Sequence, residues 1–498
     1  MRWNSCYIEL PFDIDQFVRF QRAASTVFLL DSSNKDEEHL TLPENRFLRS
    51  KSRYAYIGLN PVRQLSFRGD VLRTGSPEKW ESEETCTPSE ALTRFEAFVE
   101  GGMVGADGPS ESGPQFFLFA SYEFGEALIG ACNPKESLLD MPYLEAWLCA
   151  DQLVIDWQKK TAQYFHYSEN EYSRTEMLWR FQRIFRRGSE PYNAGGVKAA
   201  LTSNFEKPAY LKAITDIKKY IHDGHVYLLN VSQAFRFKLV MPVEEIYVRM
   251  RKRNPAPFGA FFKTPDFAIL STSPERFLRR DADRLSTEPI KGTRPRGATP
   301  EEDDQMKSNL LSSIKEQAEH TMVVDLLRND VGRVCDFGSV AVEDSFYVEK
   351  YRTVHQLLSR IVGRLKRNIG IGTILRETYP GGSITGTPKK RAMEIIAEME
   401  PQRRAGYTGI LGRHAIADRN FDLSILIRSV IAVGDEAFLS VGGGIVYDSD
   451  EEEEYQETLD KGIPVIRALC DIEGQPVVAD PASNGAQAVR SHIARTAS

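Results

Sequence analysis

Between residues 188 and 207 the chain changes character. The stretch is rich in Gly, Ser, Asn and Pro, the residues of turns and loops. Read as a linker, it divides the 498 residues into two blocks, each long enough to bury a core. The first, 1–187, reads as strands with interspersed helices. Runs biased to β-branched and aromatic residues stand at 54–59, 116–122 and 152–157, and a helix is expected over 171–187. The second, 208–470, opens on an amphipathic helix over 208–222. There Leu211, Ile214, Ile217 and Ile221 recur at helical spacing, and Gly224 sits where a C-cap belongs. Strands are expected at 226–237, 267–271, 284–288, 338–348, 408–415, 424–433 and 436–441. One long helix is expected over 303–329 and a final one over 450–469. The small, polar, Pro-containing residues 471–498 read as a disordered tail.

Composition narrows the function classes. The chain is 41% hydrophobic and 27% charged, which excludes a wholly disordered or collagen-like chain. No run of about 18 apolar residues exists, so no membrane-spanning helix is expected. The N-terminus lacks the basic-then-apolar order of a signal peptide. Net charge is −7, and the basic runs at 183–187 and 364–367 are short, so nucleic acid is not an expected partner. Cys6, Cys86, Cys132, Cys149, Cys335 and Cys470 form no C-x-x-C pair, which argues against zinc and for a reducing cytoplasm.

Four features carry chemistry. Glu316 and Glu319 stand three apart on one expected helix, and Glu454 and Glu457 on another. Residues three apart share a helix face. Two such faces together would call for a hard cation such as Mg²⁺; apart, they are solvated acidic surfaces. The glycine-rich segments around Ser383 and Thr385, and at Gly442, Gly443 and Gly444, suit either anion-binding backbone N–H groups or tight turns. Lys291, flanked by small and apolar residues, is either an exposed loop lysine or a desolvated amine with a lowered pKa, able to act as nucleophile. His355 follows an expected strand, as a structural or a functional histidine.

Long segments, in order, resemble the chorismate-utilising enzymes, a family that includes anthranilate, aminodeoxychorismate, isochorismate and salicylate synthases. They include STSPERF (271–277), PIKGTRPRG (289–297), EHTMVVDLLRNDVGRV (319–334), YPGGSITGTPKKRAMEII (379–396), SVGGGIVYDS (440–449) and EEEYQETLDKG (452–462). The resemblance covers about 205–470 almost continuously. It is thinner at FLLDSS (28–33) and SRYAYIGLNP (52–61), and FFLFASYEFGEAL (116–128) lacks a Gly-Gly pair usual in the family. It implies an α+β fold: two stacked antiparallel sheets, helices outside, and an active-site cleft in the 208–470 domain.

Residue by residue, the resemblance implies one Mg²⁺ held directly by Glu319 and Glu457, with Glu316 and Glu454 holding metal-bound water. It places Ser383, Thr385, Tyr407, Arg428 and the N–H groups of Gly442–Gly444 around chorismate, and Lys461 on a substrate carboxylate. Glu275 stands at the general acid, and His355 near the ring and the metal. Members that add water use a lysine base where this chain has Leu228; members that add ammonia usually have glutamine there. Members that aminate C2 read alanine in place of Lys291, and many that aminate C4 read lysine. The resemblance therefore points to a covalent Lys291 adduct at C2 and an amine delivered to C4. The chain carries no glutaminase signature, so a separate glutamine amidotransferase subunit is expected to supply ammonia. A separate downstream lyase is expected to make 4-aminobenzoate. Leu29, Leu30 and Ser32 resemble the family's tryptophan-binding element, with Asp31 in place of glutamate.

Overall fold

The chain was analysed as a computed structural model, which describes residues 2–9, 12–32, 45–101, 111–131, 133–185, 201–239, 241–352 and 354–470. The expected tail, and the expected linker up to residue 200, lie outside these. Among the described residues, 22 strands join one hydrogen-bonded network. Its ladders are antiparallel, which lets short hairpins build it without crossover helices.

The sheet curls over on itself. Phe28 stacks on Phe117 at 5.3 Å and lies 4.8 Å from Trp147 and from Phe262. Phe28 and Phe117 sit on strands Val27–Asp31 and Gln115–Ala120, which are not ladder partners. These rings fill the space between two layers of one sheet, so the expected sandwich is present as a continuous curl. Helices pack outside it. The 13-residue strand Leu144–Asp156 is buried throughout, covered on both faces.

The sheet also crosses the expected domain boundary. Val27–Asp31 pairs with Phe258–Lys263, and Gln115–Ala120 pairs with Ile410–Ala415. The 1–187 region thus supplies strands to the sheet that carries the 208–470 motifs.

Two expected elements are broken, and both breaks shape the cleft. The single helix over 303–329 is two helices, Pro300–Ser312 and Ile314–Val334. Ser313 separates them in an extended conformation, and its hydroxyl accepts a hydrogen bond from the Glu316 N–H. A serine that caps the following turn outcompetes helix continuation. The strand expected over 424–433 is Phe421–Ile425 and Ser429–Val433. Between them Arg428 adopts φ +50°, a left-handed conformation uncommon for arginine.

Candidate active site

Lys291 lies on the short strand Ile290–Pro295, whose ladder with Val354–Arg364 is irregular between Ile290 and Thr293. Gly292 within this bulge has φ +80°, and a Cβ there would lie 2.7 Å from Glu316 Oε2. Only glycine fits, and the bulge turns the Lys291 side chain inward. Its Nζ stands 3.3 Å from Glu319 Oε2 and 2.8 Å from where a Cβ of Gly444 would be. Leu228 Cδ1 is 3.2 Å from that same point, so the amine has an apolar neighbour there. Burial alone would lower the Lys291 pKa, as the sequence led us to expect. Glu319, Glu457 and Glu454 outweigh it and hold the pKa above the ordinary lysine value.

The two acidic helices face each other across this amine. Glu316 and Glu319 occupy the first turns of Ile314–Val334, a placement set by the Ser313 break. Glu454 and Glu457 project from Glu451–Cys470. Arg294 Nη1 lies 3.0 Å from Glu316 Oε1, and Lys461 Nζ lies 2.7 Å from Glu457 Oε1. Ser449 donates to Glu454 Oε1 at 2.7 Å. Lys461 holds Glu457 below the usual carboxylate range, whereas burial pushes Glu454 up, reinforced by Glu457 and Glu319. The donors are anionic oxygens, the type that a hard divalent cation takes. Among the described residues no three acidic or histidine side chains converge on one point as they stand. The positive charge that faces Glu319 is the ammonium of Lys291.

Glu275 is buried, and Ser383 Oγ donates to its Oε1 at 2.8 Å. Burial pushes its pKa up to about 7, against the opposing pull of Ser383, Lys291, Arg428 and Lys461. Ser383 sits in the tight turn Gly382–Ile384; Thr385 instead turns its hydroxyl back onto Gly381 O at 2.9 Å. Arg428 has no carboxylate partner among the described residues; burial lowers its pKa, opposed by Tyr351 and Glu275. A half-buried guanidinium without a carboxylate partner can accept an anion. Tyr407 is buried, its hydroxyl 3.1 Å from where a Cβ of Gly442 would be.

Gly442–Gly444 lie in the strand Glu436–Ile445, paired to Ser232, Val231 and Asn230. The ladder to Val430–Val433 on the other edge ends at Leu439. Alternate backbone groups of the triplet therefore face away from their one partner strand. Lys461 Nζ donates to the Gly442 carbonyl at 3.1 Å, and Glu454 Oε2 is 3.4 Å from a Cβ position on Gly443.

Among the described residues His355 pairs with none of Glu316, Glu319, Glu454 and Glu457. It is buried, and its Nε2 lies 2.8 Å from Asp303 Oδ1, a carboxylate that also binds Arg296 and Lys350. Its Nδ1 has no partner, and burial lowers its pKa against the pull of Asp303. Leu30 and Ser32 line a different cavity, with Asp31, Lys51, Tyr54 and Arg413. Among the described residues, Asp31 Oδ1 and Ser32 Oγ are buried there without a partner. Leu29 packs into an apolar cluster instead.

Sequence reasoning missed Arg294, Ser449 and Asp303, which hold the singled-out residues in place. Arg294 is an odd number of positions from Lys291, so a regular strand would send the two to opposite faces. The bulge removes that rule, and nothing local announces a bulge.

Residues 47–467 match the chorismate binding enzyme family. The chain belongs to that family. Aminodeoxychorismate synthase component 1 of Escherichia coli is 37% identical over 422 residues, 84% of this chain and 90% of that one. Anthranilate synthase component 1 1 of Haloarcula marismortui is 43% identical, but over 280 residues, 56% of this chain and 57% of the relative's length. The crystal structure of anthranilate synthase component I from Streptococcus pneumoniae aligns with a TM-score of 0.72 and 26% identity, covering 84% of this chain and 92% of that one. In this chain Lys291 and Arg428, from separate strands and turns, are both charge neighbours of the buried Glu275.

Proposed function

We propose that this chain is the chorismate-aminating component of an aminodeoxychorismate synthase, making 4-amino-4-deoxychorismate from chorismate and ammonia for 4-aminobenzoate and folate synthesis. The carrying observation is a lysine amine, Lys291 Nζ, beside Glu319 and close enough to the buried Glu275 to act on its charge. The E. coli relative of that name spans most of both chains.

In this reading Arg428 and Lys461 take chorismate's carboxylates. Lys291 is the nucleophile. Its amine forms a bond to C2 while the ring double bond shifts and the C4 hydroxyl leaves as water, taking the proton of Glu275. Ammonia then forms the C4–N bond as the shifted double bond returns and the C2–N bond to Lys291 breaks. Ser383 orients Glu275, Tyr407 and the Gly442–Gly444 backbone bound the enolpyruvyl side, and Thr385 shapes the turn that holds Ser383. Leu228 keeps water without an acceptor beside the amine. His355, locked to Asp303, closes the pocket on the ring side.

Glu319 and Glu457 would hold Mg²⁺ directly, with Glu316 and Glu454 behind them. When bound, the ion supplies charge compensation for the ring carboxylate. Bound there, the ion would also take up charge of Glu319 and Glu457, the carboxylates that now face the ammonium of Lys291.

The partners in this reading are a glutamine amidotransferase subunit that supplies ammonia and a separate lyase that consumes the product. Tryptophan is the ligand proposed for the cavity at Leu30 and Ser32, a reading supported by Asp31 Oδ1 and Ser32 Oγ, which lack partners among the described residues. The compartment is the cytoplasm, in keeping with the free thiols Cys6, Cys86, Cys149 and Cys335. No described helix is long and apolar enough to cross a membrane.

A second reading, anthranilate synthase component I, draws on the 43% identity of the haloarchaeal relative. One experiment separates them: purified protein with chorismate, Mg²⁺ and excess ammonium, read by mass spectrometry and a coupled pyruvate assay. A product in which OH is replaced by NH₂, without pyruvate, and with the amine at C4 by NMR, is expected. Fluorescent anthranilate with stoichiometric pyruvate overturns the proposal.

A further inference from the structure

Lys51 is the last residue of the short helix Arg46–Lys51 in the N-terminal region. That region supplies none of the groups placed at the chemistry above. Yet the Lys51 side chain is 1% exposed, and it reaches into the heart of the other half of the chain. Its Nζ lies 3.0 Å from Glu288 Oε2 and 3.0 and 3.1 Å from the two oxygens of Glu349.

Each of these contacts leads to one wall of the cleft. Glu288 ends the strand Arg284–Glu288, and Pro289 and Ile290 alone separate it from Lys291. Glu288 also takes Arg276 Nη1 at 2.9 Å. Arg276 directly follows Glu275 and is fixed by Asp422 at 2.8 and 3.0 Å. Glu349 takes the hydroxyl of Tyr351 at 2.7 Å, and Tyr351 is an electrostatic neighbour of Arg428. One ammonium thus ties together the segments that carry the amine, the acid and the substrate-facing guanidinium.

The cluster is balanced. Lys51, Arg276, Arg360 and Arg284 face Glu288, Glu349, Asp422 and Glu343, with Arg360 3.9 Å from Glu288 and 3.7 Å from Glu343. Buried ion chains of this kind add little net stability over an apolar core, because desolvation offsets the attraction. What they do well is fix geometry, since each charge tolerates only its own partners' positions.

We propose that Lys51 is a positioning residue for the chemistry: through Glu288 and Glu349 it sets the relative placement of Lys291, Glu275 and Arg428. The inference rests on the function proposed above. Lys51→Met alone leaves a buried carboxylate in excess and risks misfolding, so the decisive variant is Lys51→Met combined with Glu349→Gln, which removes one charge of each sign. Chorismate consumption with Mg²⁺ and ammonium is measured whatever the product, together with KM, the thermal midpoint and the folded fraction. The expected result is kcat lower by about 10- to 100-fold, the scale of an ångström-sized misplacement of reacting groups, with KM and the thermal midpoint close to those of the unaltered protein. Three results overturn the inference: an unchanged kcat, a rise in KM alone, or a loss of rate that merely follows the folded fraction. If the unaltered protein consumes no chorismate, the function itself is wrong, and that control reads it separately.

Discussion

Lys51, which is buried, and Lys291, which is half-buried, both face carboxylates, and they are built to opposite ends. At Lys51 the partners are sealed, with side-chain exposures of 1% for the lysine and 0% for Glu349. Every charge there has a fixed counterpart. At Lys291 the exposures are 17% and 13% for lysine and Glu319. There the carboxylates of Glu316, Glu319, Glu454 and Glu457 outnumber the cations that pair with them, Arg294, Lys291 and Lys461, with Lys315 a further cation in their field. Balance and closure make a fixture. Surplus negative charge and an opening make a place that gains from a cation and an anionic substrate, and can exchange one counter-charge for another.

The contrast can be broken most severely at Lys291. Lys291→Ala should cost roughly three orders of magnitude or more in C4 amination, on the scale of losing a covalent nucleophile, as read by quantifying the product against an internal standard. Normal rates of aminodeoxychorismate formation would dismiss the covalent lysine.

Glu275→Gln should lower turnover by about 10²- to 10⁴-fold, the usual weight of a general acid. The unaltered enzyme should lose kcat/KM as pH rises through about 7, because the raised pKa of Glu275 keeps it protonated below that value and ionised above. The same sign holds for folding: the stabilisation from a carboxyl whose pKa is raised by burial is present at low pH and lost as pH rises through about 7. A variant that retains the alkaline fall would assign it to another group.

Gly444→Ala probes the opening itself. The added methyl would meet Lys291 Nζ at 2.8 Å, the far end of a flexible side chain, so the fold survives while the amine moves. Turnover should drop by about 10-fold or more from misplacement alone, with an unchanged circular dichroism spectrum. An unaffected rate would mean that the amine does not work from where it stands.

The mildest change is Glu457→Gln. Removing one charged donor should shift the Mg²⁺ concentration for half-maximal rate upward by about 10-fold or more, with little loss at saturating Mg²⁺. An unchanged Mg²⁺ titration would take Glu457 out of the proposed ligand set.

Much of the fold was legible because local chemistry and tertiary fate agree. The helix Lys207–His222 lies where its isoleucines recur, and the strand Leu228–Lys238 lies where its aliphatic and aromatic residues cluster. The failures are informative. Ser313 reads as an ordinary helical position, yet it ends one helix and caps the next, placing Glu316 and Glu319 in first turns. Arg428 reads as mid-strand, yet its left-handed backbone breaks the strand and frees its side chain from the ladder. At Lys291 the sequence left open an exposed lysine or a desolvated amine with a lowered pKa, and the pKa is raised instead, because the carboxylates that face it are distant in the chain.

The sequence by itself determined the family, the residue types at the cleft, the spacing of each acidic pair and most of the strands. These depend on short-range pattern, which the chain carries in its order of residues. Only the tertiary structure decided which charges meet. That Lys51 closes a balanced cluster with Glu288 and Glu349, that Lys291 faces Glu319, and that Asp303 rather than a site carboxylate holds His355, all depend on a curled sheet that brings together residues far apart in the chain. Coulomb energies vary with distance and burial, and neither is written into sequence order.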